Sequence, residues 1–204
     1  MFRLTRPSVE EIRSYLDRQR ALPFSYAEVG ATRDAMPPPG YDFDQATATL
    51  GHGPWAFENA CRTIRRWGMF PRPMTRLFWP DAFIEPGSVV AVLFRAGPIW
   101  SLNPARVVYA IDEITPHGRA FGFAYGTLAD HVEQGEELFL VRWDYSSDEV
   151  RYELSAFSRP QHWLAHWGYP YVRQQQALFR QQSCAAMQSA VNQRDCLPDV
   201  RAVR

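Results

Sequence analysis

The segment RAFGFAYGTLADHVEQGEELFLVRWD, residues 119–144, contains two runs in which two kinds of side chain alternate from one residue to the next. Successive side chains of a β-strand point to opposite faces, so a period of two is typical of a strand with one buried face. The two runs predict strands over residues 119–127 and 136–144, joined by a turn at the Glu-Gln-Gly of residues 133–135. Aromatic and small residues alternate in the first strand: Phe121, Phe123 and Tyr125 against Ala120, Gly122, Ala124 and Gly126.

The same period of two extends over residues 74–157. Turn-forming residues recur about every ten positions in this region and separate the strands from one another. Further strands are predicted at residues 74–79, 88–95, 105–114 and 149–157, with turns at EPG, SLNP, TPHG and SSD. Short turns between consecutive strands indicate an antiparallel sheet. An extended stretch at residues 42–50 would bring the sheet to about six or seven strands.

Helical spacing of apolar residues flanks this region on both sides. Helices are predicted over residues 8–20, with Ser8 as the N-cap, and over residues 54–67. After the last strand, Ser158 and Pro160 are predicted to begin a short helix, and a longer helix runs from about residue 170 to 191. A curved sheet must bury one face, and the last helix is long enough to cover it. The predicted fold class is therefore α+β, a curved antiparallel sheet gripping a long C-terminal helix, in a single domain at residues 1–192 with a loose tail at 193–204.

Composition excludes several classes of function. The 204 residues carry 22 basic and 22 acidic side chains, so no net charge attracts a polyanion, and we expect no nucleic-acid partner. All the basic residues are arginines, which excludes a lysine Schiff base. The three cysteines have no Cys-x-x-Cys spacing, and no apolar run approaches the roughly 18 residues that a membrane helix needs. These features, with no signal peptide, predict a soluble cytoplasmic protein.

Three segments resemble a known family: YAEVGATR at residues 26–33, GFAYGTLADHVEQGEELF at 122–139 and AFSRPQHWLAHWGYPYVRQQQALF at 156–179. Together they resemble the domain-of-unknown-function family DUF1990 over nearly the whole chain, a resemblance that implies no particular reaction. The last strand, the Ser-Arg-Pro turn and the long helix also resemble the START-related helix-grip superfamily. That more remote resemblance implies an apolar ligand enclosed between the sheet and the helix.

Two glycines in the predicted strand at 119–127 suggest a second reason for such a ligand. Glycine gives up packing in a strand, so it often marks a close approach by another backbone or a ligand. If the small face points inward, Gly122 and Gly126 leave space beside the helix for a ligand, with Tyr125 nearby. If the rings point inward, they are ordinary core. Trp100 and Asn103 are predicted between two strands, where they would close the mouth of a cavity or cover a core edge.

The acidic hairpin supplies candidate catalytic residues. In an extended chain, His131 and Glu133 lie on the same side, and a carboxylate beside an imidazole raises its pKa, as a general acid or base requires. The alternative is a hairpin whose side chains bind loop amides. His131, Glu133 and Glu136 match no strong metal signature, and His162 and His166 lack a third ligand, so we predict no metal and no cofactor.

Two arginines near the start of the C-terminal helices are further ligand-binding candidates. Arg159 and Arg173 could bind an anionic group near a helix N-terminus. They could instead neutralise the acidic hairpin, and we expect an ion pair between Glu136 and Arg159.

The functional hypothesis is a protein that binds a small apolar or amphipathic molecule between the sheet and the C-terminal helix, with His131, Glu133, Glu136 and Arg159 at the polar end of the site. One alternative is an acid–base enzyme of the cyclase, hydratase or hydrolase type, with His131 as the proton carrier and Glu133 as its partner. Another is an interaction module that uses Trp163 and Trp167. No serine hydrolase motif, phosphate-binding loop or Cys-His pair supports other enzyme classes.

Overall fold

The structure is a computed structural model that describes residues 2–3, 5–34, 37–70, 75–78, 83–96, 99–161 and 168–192. Its strands are β1 (Phe2–Arg3), β2 (Asp42–His52), β3 (Thr75–Phe78), β4 (Val89–Ala96), β5 (Ile99–Thr115), β6 (Gly118–Thr127), β7 (Glu133–Asp144) and β8 (Glu149–Pro160). The helices are α1 (Val9–Gln19), α2 (Gly53–Arg65) and α3 (Tyr169–Asn192), with a 3-10 turn at Ala31–Asp34. None of the helices in these ranges is long and apolar enough to cross a membrane.

The strands form one curled antiparallel sheet in the order β2-β8-β7-β6-β5-β4-β3, with β1 paired to β5. From β3 to β8 each strand lies beside its sequence neighbour, as hairpin connections require, and β2 joins the edge next to β8. Helix α3 packs on β2 and β8. The predicted fold class, a curved sheet gripping a C-terminal helix, is confirmed.

Helix α1 begins as its sequence predicts. The Ser8 hydroxyl accepts a hydrogen bond from the backbone N–H of Glu11, while the Glu11 carboxylate accepts one from the backbone N–H of Ser8. This capping box satisfies two backbone donors that a helix start leaves unpaired. Ile12 and Leu16 then bury their side chains in a small apolar cluster that includes Leu128.

The aromatic face of β6 points inward. Phe123 packs with Trp67 of the segment after α2 and with Phe139 of β7. It belongs to the same buried apolar cluster as Met187 and Val191 of α3. The small face of β6 is turned the other way, where Ala120 and Ala124 pack with Tyr109. The interpretation in which the small residues leave space for a ligand beside the helix is therefore wrong. Large rings bury more apolar area against the helices, so they occupy the inner face.

The small outer face of β6 is covered by the N-terminal segment rather than by solvent. A Cβ atom on Gly126 would lie 2.1 Å from the Tyr26 hydroxyl oxygen, so only glycine lets this ring lie so close to the strand. Ser25 adds backbone contact, because its N–H donates to the carbonyl of Thr127 at 3.0 Å. The glycine in this strand therefore admits a neighbouring side chain of the same protein.

Two predicted turns lie inside strands. The SLNP sequence belongs to β5, where its residues pair with β4 and the amide nitrogen of Asn103 donates to the Ser101 hydroxyl at 2.9 Å. The EQG sequence belongs to β7, and the true connection between β6 and β7 is residues 128–132. Gly135 has φ +153°, and a Cβ atom there would meet the Phe157 carbonyl oxygen at 1.9 Å. It is a point of close strand approach, not a reversal of the chain.

The predicted start of a short helix at Ser158 is also wrong. Strand β8 continues to Pro160, because Ser158, Arg159 and Pro160 pair with residues 133–135 of β7. Most of the predicted short helix, with His162, His166, Trp163 and Trp167, lies outside the described residues, as does the predicted tail at 193–204.

Candidate functional site

A cavity of about 650 Å³ lies between the inner face of the sheet and α3. Sites for small molecules commonly occupy 300–1,000 Å³. Most of its wall is apolar, formed by Phe70, Val92, Phe94, Val172 and Phe179. The polar part of the wall comes from β2, β6, β7 and α3, and includes Asp44, Tyr125, Glu133, Glu137, Gln176 and Arg180.

Asp44 of β2 holds two arginines of α3. The Arg173 guanidinium donates to both carboxylate oxygens of Asp44, at 2.5 and 2.7 Å, and this pair raises the pKa of Arg173. The Arg180 guanidinium lies 3.0 Å from the same carboxylate. A two-pronged arginine–carboxylate pair is a strong and directional contact. Both arginines are therefore committed to a residue of the protein itself.

Glu133 is the first of two carboxylates that face the cavity from β7. Its Oε1 accepts a hydrogen bond of 2.5 Å from the side-chain amide of Gln176, which also donates to the Ser158 hydroxyl at 3.1 Å. Burial, together with the neighbouring charge of Glu137, raises the pKa of Glu133 to about 7, although the Arg173 guanidinium acts in the opposite direction. The hydrogen-bond partner here is neutral, so it positions the carboxylate without compensating its charge.

Glu137 lies four residues farther along β7 on the same face, because strand side chains alternate. The Tyr125 hydroxyl of β6 donates to its carboxylate at 2.6 Å. Burial raises the pKa of Glu137 to about 7 and also raises that of Tyr125. The cavity therefore has two adjacent carboxyl groups that change protonation state near neutral pH.

His131 also lines the cavity, from the connection between β6 and β7. Its Nδ1 accepts a hydrogen bond of 3.0 Å from the backbone N–H of Glu133, so the imidazole contacts the backbone of that residue. Burial lowers the pKa of His131 to about 3. The expectation that a carboxylate raises this pKa is wrong, because desolvation of the ring dominates. The ring is therefore neutral near pH 7, and its Nδ1 also lies 3.0 Å from the backbone carbonyl oxygen of Glu133.

The carboxylate of Glu136 points to the outer face, opposite to Glu133 and Glu137. It accepts hydrogen bonds from the Tyr26 hydroxyl at 2.7 Å, from the Gly30 N–H at 2.7 Å, and from both the N–H, at 3.1 Å, and the hydroxyl of Thr32. We call Glu136 with these three partners the Glu136 clamp. It fastens the YAEVGATR segment to the sheet.

The predicted ion pair between Glu136 and Arg159 is wrong. Arg159 donates to the side-chain oxygen of Gln134 at 2.8 Å, and its guanidinium lies 4.4 Å from the centre of the Tyr41 ring. Glu136 has no room for it, because the N-terminal segment supplies the partners of its carboxylate.

The structure brings together some of the predicted site residues and separates others. The cavity is bordered by Tyr125, His131, Glu133 and Asn103, and by Glu136 with its carboxylate turned away. Trp100 lies on the outer face under the Arg95 guanidinium, 5.2 Å from its ring centre. The residues that do not border the cavity are Gly122, Gly126, Trp100, Arg159 and Arg173.

Sequence reasoning missed the other polar residues of the cavity wall, which are Asp44, Glu137, Gln176 and Arg180. The spacing of four between Glu133 and Glu137 was a usable signal for one of them, since residues i and i+4 of a strand share a face. Within the described ranges no group of three His, Cys, Asp or Glu side chains is arranged to hold a metal ion.

Comparisons with known proteins identify similar chains. The sequence profile of a domain of unknown function (DUF1990) matches residues 25–186. A UPF0548 protein of Dictyostelium discoideum is 34% identical over 207 residues, covering 94% of this chain and 96% of that protein. A UPF0548 protein of Arabidopsis thaliana is 31% identical and covers 75% of each chain.

Solved structures with similar folds have little sequence identity to this chain. A hypothetical protein from Helicobacter pylori has a TM-score of 0.50 at 12% identity, covering 74% of this chain and 89% of that one. Human STARD10 has a TM-score of 0.46 at 11% identity, covering 92% of this chain and 80% of that one. At this identity the Helicobacter likeness shows the fold alone.

Proposed function

This chain belongs to the DUF1990 family and is similar to UPF0548 proteins, and we propose that it binds a small, largely apolar ligand between the sheet and α3. The observation that carries the proposal is the cavity of about 650 Å³ with one polar end. A cavity of this volume, lined mostly by aromatic and aliphatic side chains, is suited to an apolar guest.

The polar end of the cavity supports the same function. Small-molecule sites combine an apolar lining with a few placed polar groups that orient the ligand. Tyr125, Glu133 and Glu137 are such groups, and the hydrogen bonds from Gln176 and between Tyr125 and Glu137 hold them in place. The apolar wall would supply affinity by burying the ligand body, and the polar groups would select its head group.

Filling the cavity should abolish binding. Ala156 borders the cavity on β8, and Ala156→Trp places an indole in that space. We expect the neutral fluorescent probe N-phenyl-1-naphthylamine to bind the unaltered protein in a saturable, one-to-one manner. Its affinity should fall at least about tenfold in Ala156→Trp, because about 1.4 kcal/mol of lost contact has that effect. Fluorescence titration measures the stoichiometry and the dissociation constant of the probe for both proteins.

The matched control adds the same ring on the outside of the sheet. Thr47 is exposed on β2, so Thr47→Trp should leave probe affinity unchanged. Thermal melting of both variants checks that they fold. Equal probe affinity in Ala156→Trp and in the unaltered protein would show that the probe binds elsewhere and would remove the support for this function.

Acid–base catalysis on the bound ligand is the second candidate, favoured by the raised pKa values of Glu133 and Glu137. A general acid or base works best when its pKa lies near the working pH. These two carboxyl groups suit that role better than His131, whose pKa is lowered by burial. Carbon-13 NMR of labelled glutamate side chains should find at least one of the two titrating near pH 7. If both titrate below pH 5, this candidate loses its basis.

A further inference from the structure

The two cavity-facing carboxylates of β7 have no cationic partner among the described residues. Glu133 accepts from the neutral amide of Gln176, and Glu137 accepts from the neutral hydroxyl of Tyr125. Neither carboxylate lies within 4.0 Å of an arginine or histidine nitrogen in the described ranges, whereas Asp44 takes both arginines of α3. Arg173 and Arg180 act on these carboxylates only from a distance, and burying a carboxylate without a direct ion pair is costly, so a ligand that brings a positive charge into contact with them gains energy here.

Asn103 is a second residue beside the cavity with a hydrogen-bond acceptor that lacks a partner. It borders the cavity, it is only 6% exposed, and its Oδ1 has no hydrogen-bond partner. The orientation of the amide is fixed, because its nitrogen faces the carbonyl oxygens of Val92 at 3.3 Å and Ser101 at 3.4 Å, which can only accept. The oxygen is therefore an unused acceptor, and a buried acceptor calls for a donor.

The cavity wall thus has hydrogen-bond acceptors without a full set of donors, while its arginine donors already bind Asp44. Glu133 and Glu137 can each accept further hydrogen bonds from the cavity, Asn103 Oδ1 lies unpartnered and buried beside it, and the guanidinium groups of Arg173 and Arg180 are held by Asp44. We propose that the ligand of this cavity carries a protonated primary or secondary amine on an apolar body, and that Glu133 and Glu137 bind the ammonium group. This inference rests on the proposed function, and it names the class of ligand.

Several charged or titratable groups surround the two carboxylates, and they set the pH range of such binding. Strand β2 and helix α3 contribute acidic and basic side chains of opposite charge. Strands β6 and β8 contribute buried tyrosines, and the β6–β7 connection contributes His131. These groups are Asp42, Asp44, Arg173, Arg180, Tyr125, Tyr152 and His131. Burial raises the pKa values of Glu133 and Glu137 to about 7, so both become ionised as pH rises from 6 to 8. Ammonium binding should therefore strengthen over that interval.

Three compounds with the same ten-carbon chain test the inference: decylamine, decan-1-ol and decanoic acid. By isothermal titration calorimetry at pH 8, decylamine should bind about tenfold more tightly than decan-1-ol, since a charge-assisted contact is roughly twice as strong as a neutral one. Decanoic acid should bind more weakly than either. The advantage of decylamine should shrink at pH 5.5, where the amine is still protonated and the two glutamates are not ionised.

The double variant Glu133→Gln/Glu137→Gln should lose the advantage of the amine and keep its affinity for decan-1-ol. Glu153→Gln is the control, because it removes one carboxylate from the solvent side of β8. It should keep the full preference for decylamine.

The outcomes separate this inference from the proposed function. Equal binding of decylamine and decan-1-ol, or tightest binding of decanoic acid, overturns the ammonium assignment and leaves a ligand cavity in place. No binding of decylamine, while N-phenyl-1-naphthylamine still binds, overturns the assignment alone. If none of the four compounds binds, both the assignment and the proposed function fall.

Discussion

Replacing Glu136 by alanine should lower the free energy of unfolding by about 4 kcal/mol. The Glu136 carboxylate is 2% exposed and accepts four hydrogen bonds from the N-terminal segment. Removing it leaves the backbone N–H groups of Gly30 and Thr32 without acceptors, and breaking a buried network of this kind typically costs 3–5 kcal/mol. Urea denaturation followed by circular dichroism measures the loss, and amide hydrogen exchange at Gly30 and Thr32 should become faster.

Two further variants show whether the loss comes from the clamp. Glu153→Ala removes a carboxylate whose partner, Arg142, is exposed, so it should cost less than about 1 kcal/mol. Tyr26→Phe removes a single donor and should cost about 1–2 kcal/mol, with strong coupling to Glu136→Ala in a double-mutant cycle. A loss in Glu136→Ala no larger than that in Glu153→Ala would mean that the N-terminal segment is held by other contacts.

The part of the fold that could be predicted is the part encoded locally. The alternation of Phe121, Phe123 and Tyr125 with small residues is a property of neighbouring side chains, and it located β6 to within one residue of its start. The Ser8 cap likewise lies next to the helix that it begins. Hairpin order followed from short turns, and the gripping helix followed from its length after the last strand.

The turns were less predictable, because turn-forming residues also serve inside strands. Ser101 and Asn103 hydrogen-bond each other within β5, so residues that usually leave a sheet remain in it. The turn predicted at Gly135 interrupts β7 between Glu133 and Glu137, the two carboxylates that face the cavity. Only a continuous strand through Gly135 places Glu133 and Glu137 on the same face.

The partners of the charged residues could not be predicted, because they are distant in sequence. Glu136 binds a segment 104 to 110 residues earlier, and Asp44 binds Arg173 across 129 residues. The opposite charges of Glu136 and Arg159 favoured an ion pair, but Tyr26, Gly30 and Thr32 of the distant N-terminal segment bind the Glu136 carboxylate instead. The acidic cavity wall depends on such distant pairings, since Arg173 and Arg180 form their ion pairs with Asp44 and act on Glu133 and Glu137 only from a distance.

Raising the pH from 5 to 8 should favour the double variant Glu133→Gln/Glu137→Gln over the unaltered protein by about 2 kcal/mol. The folded-state pKa of each glutamate is raised to about 7, above the value of about 4.3 expected in the unfolded chain. The folded protein therefore holds these protons more tightly, and the stability that they supply is complete below about pH 4 and is lost as pH rises through 7. Glutamine imitates the protonated carboxyl group and does not titrate, so the variant keeps that stability.

The size of the effect follows from the environment of the two side chains. A pKa of about 7 in the folded protein against about 4.3 in the unfolded chain would correspond to about 3.7 kcal/mol for one fully buried group, but both side chains are half-buried and face a cavity, so solvent screening reduces the sum to about 2 kcal/mol. Urea denaturation at pH 5, 6, 7 and 8 measures the difference between the two proteins, and Glu153→Gln should show none of this trend. A difference that stays constant from pH 5 to 8 would mean that Arg173 and Arg180 already compensate both carboxylates, and a cationic ligand group would then have no advantage in the cavity.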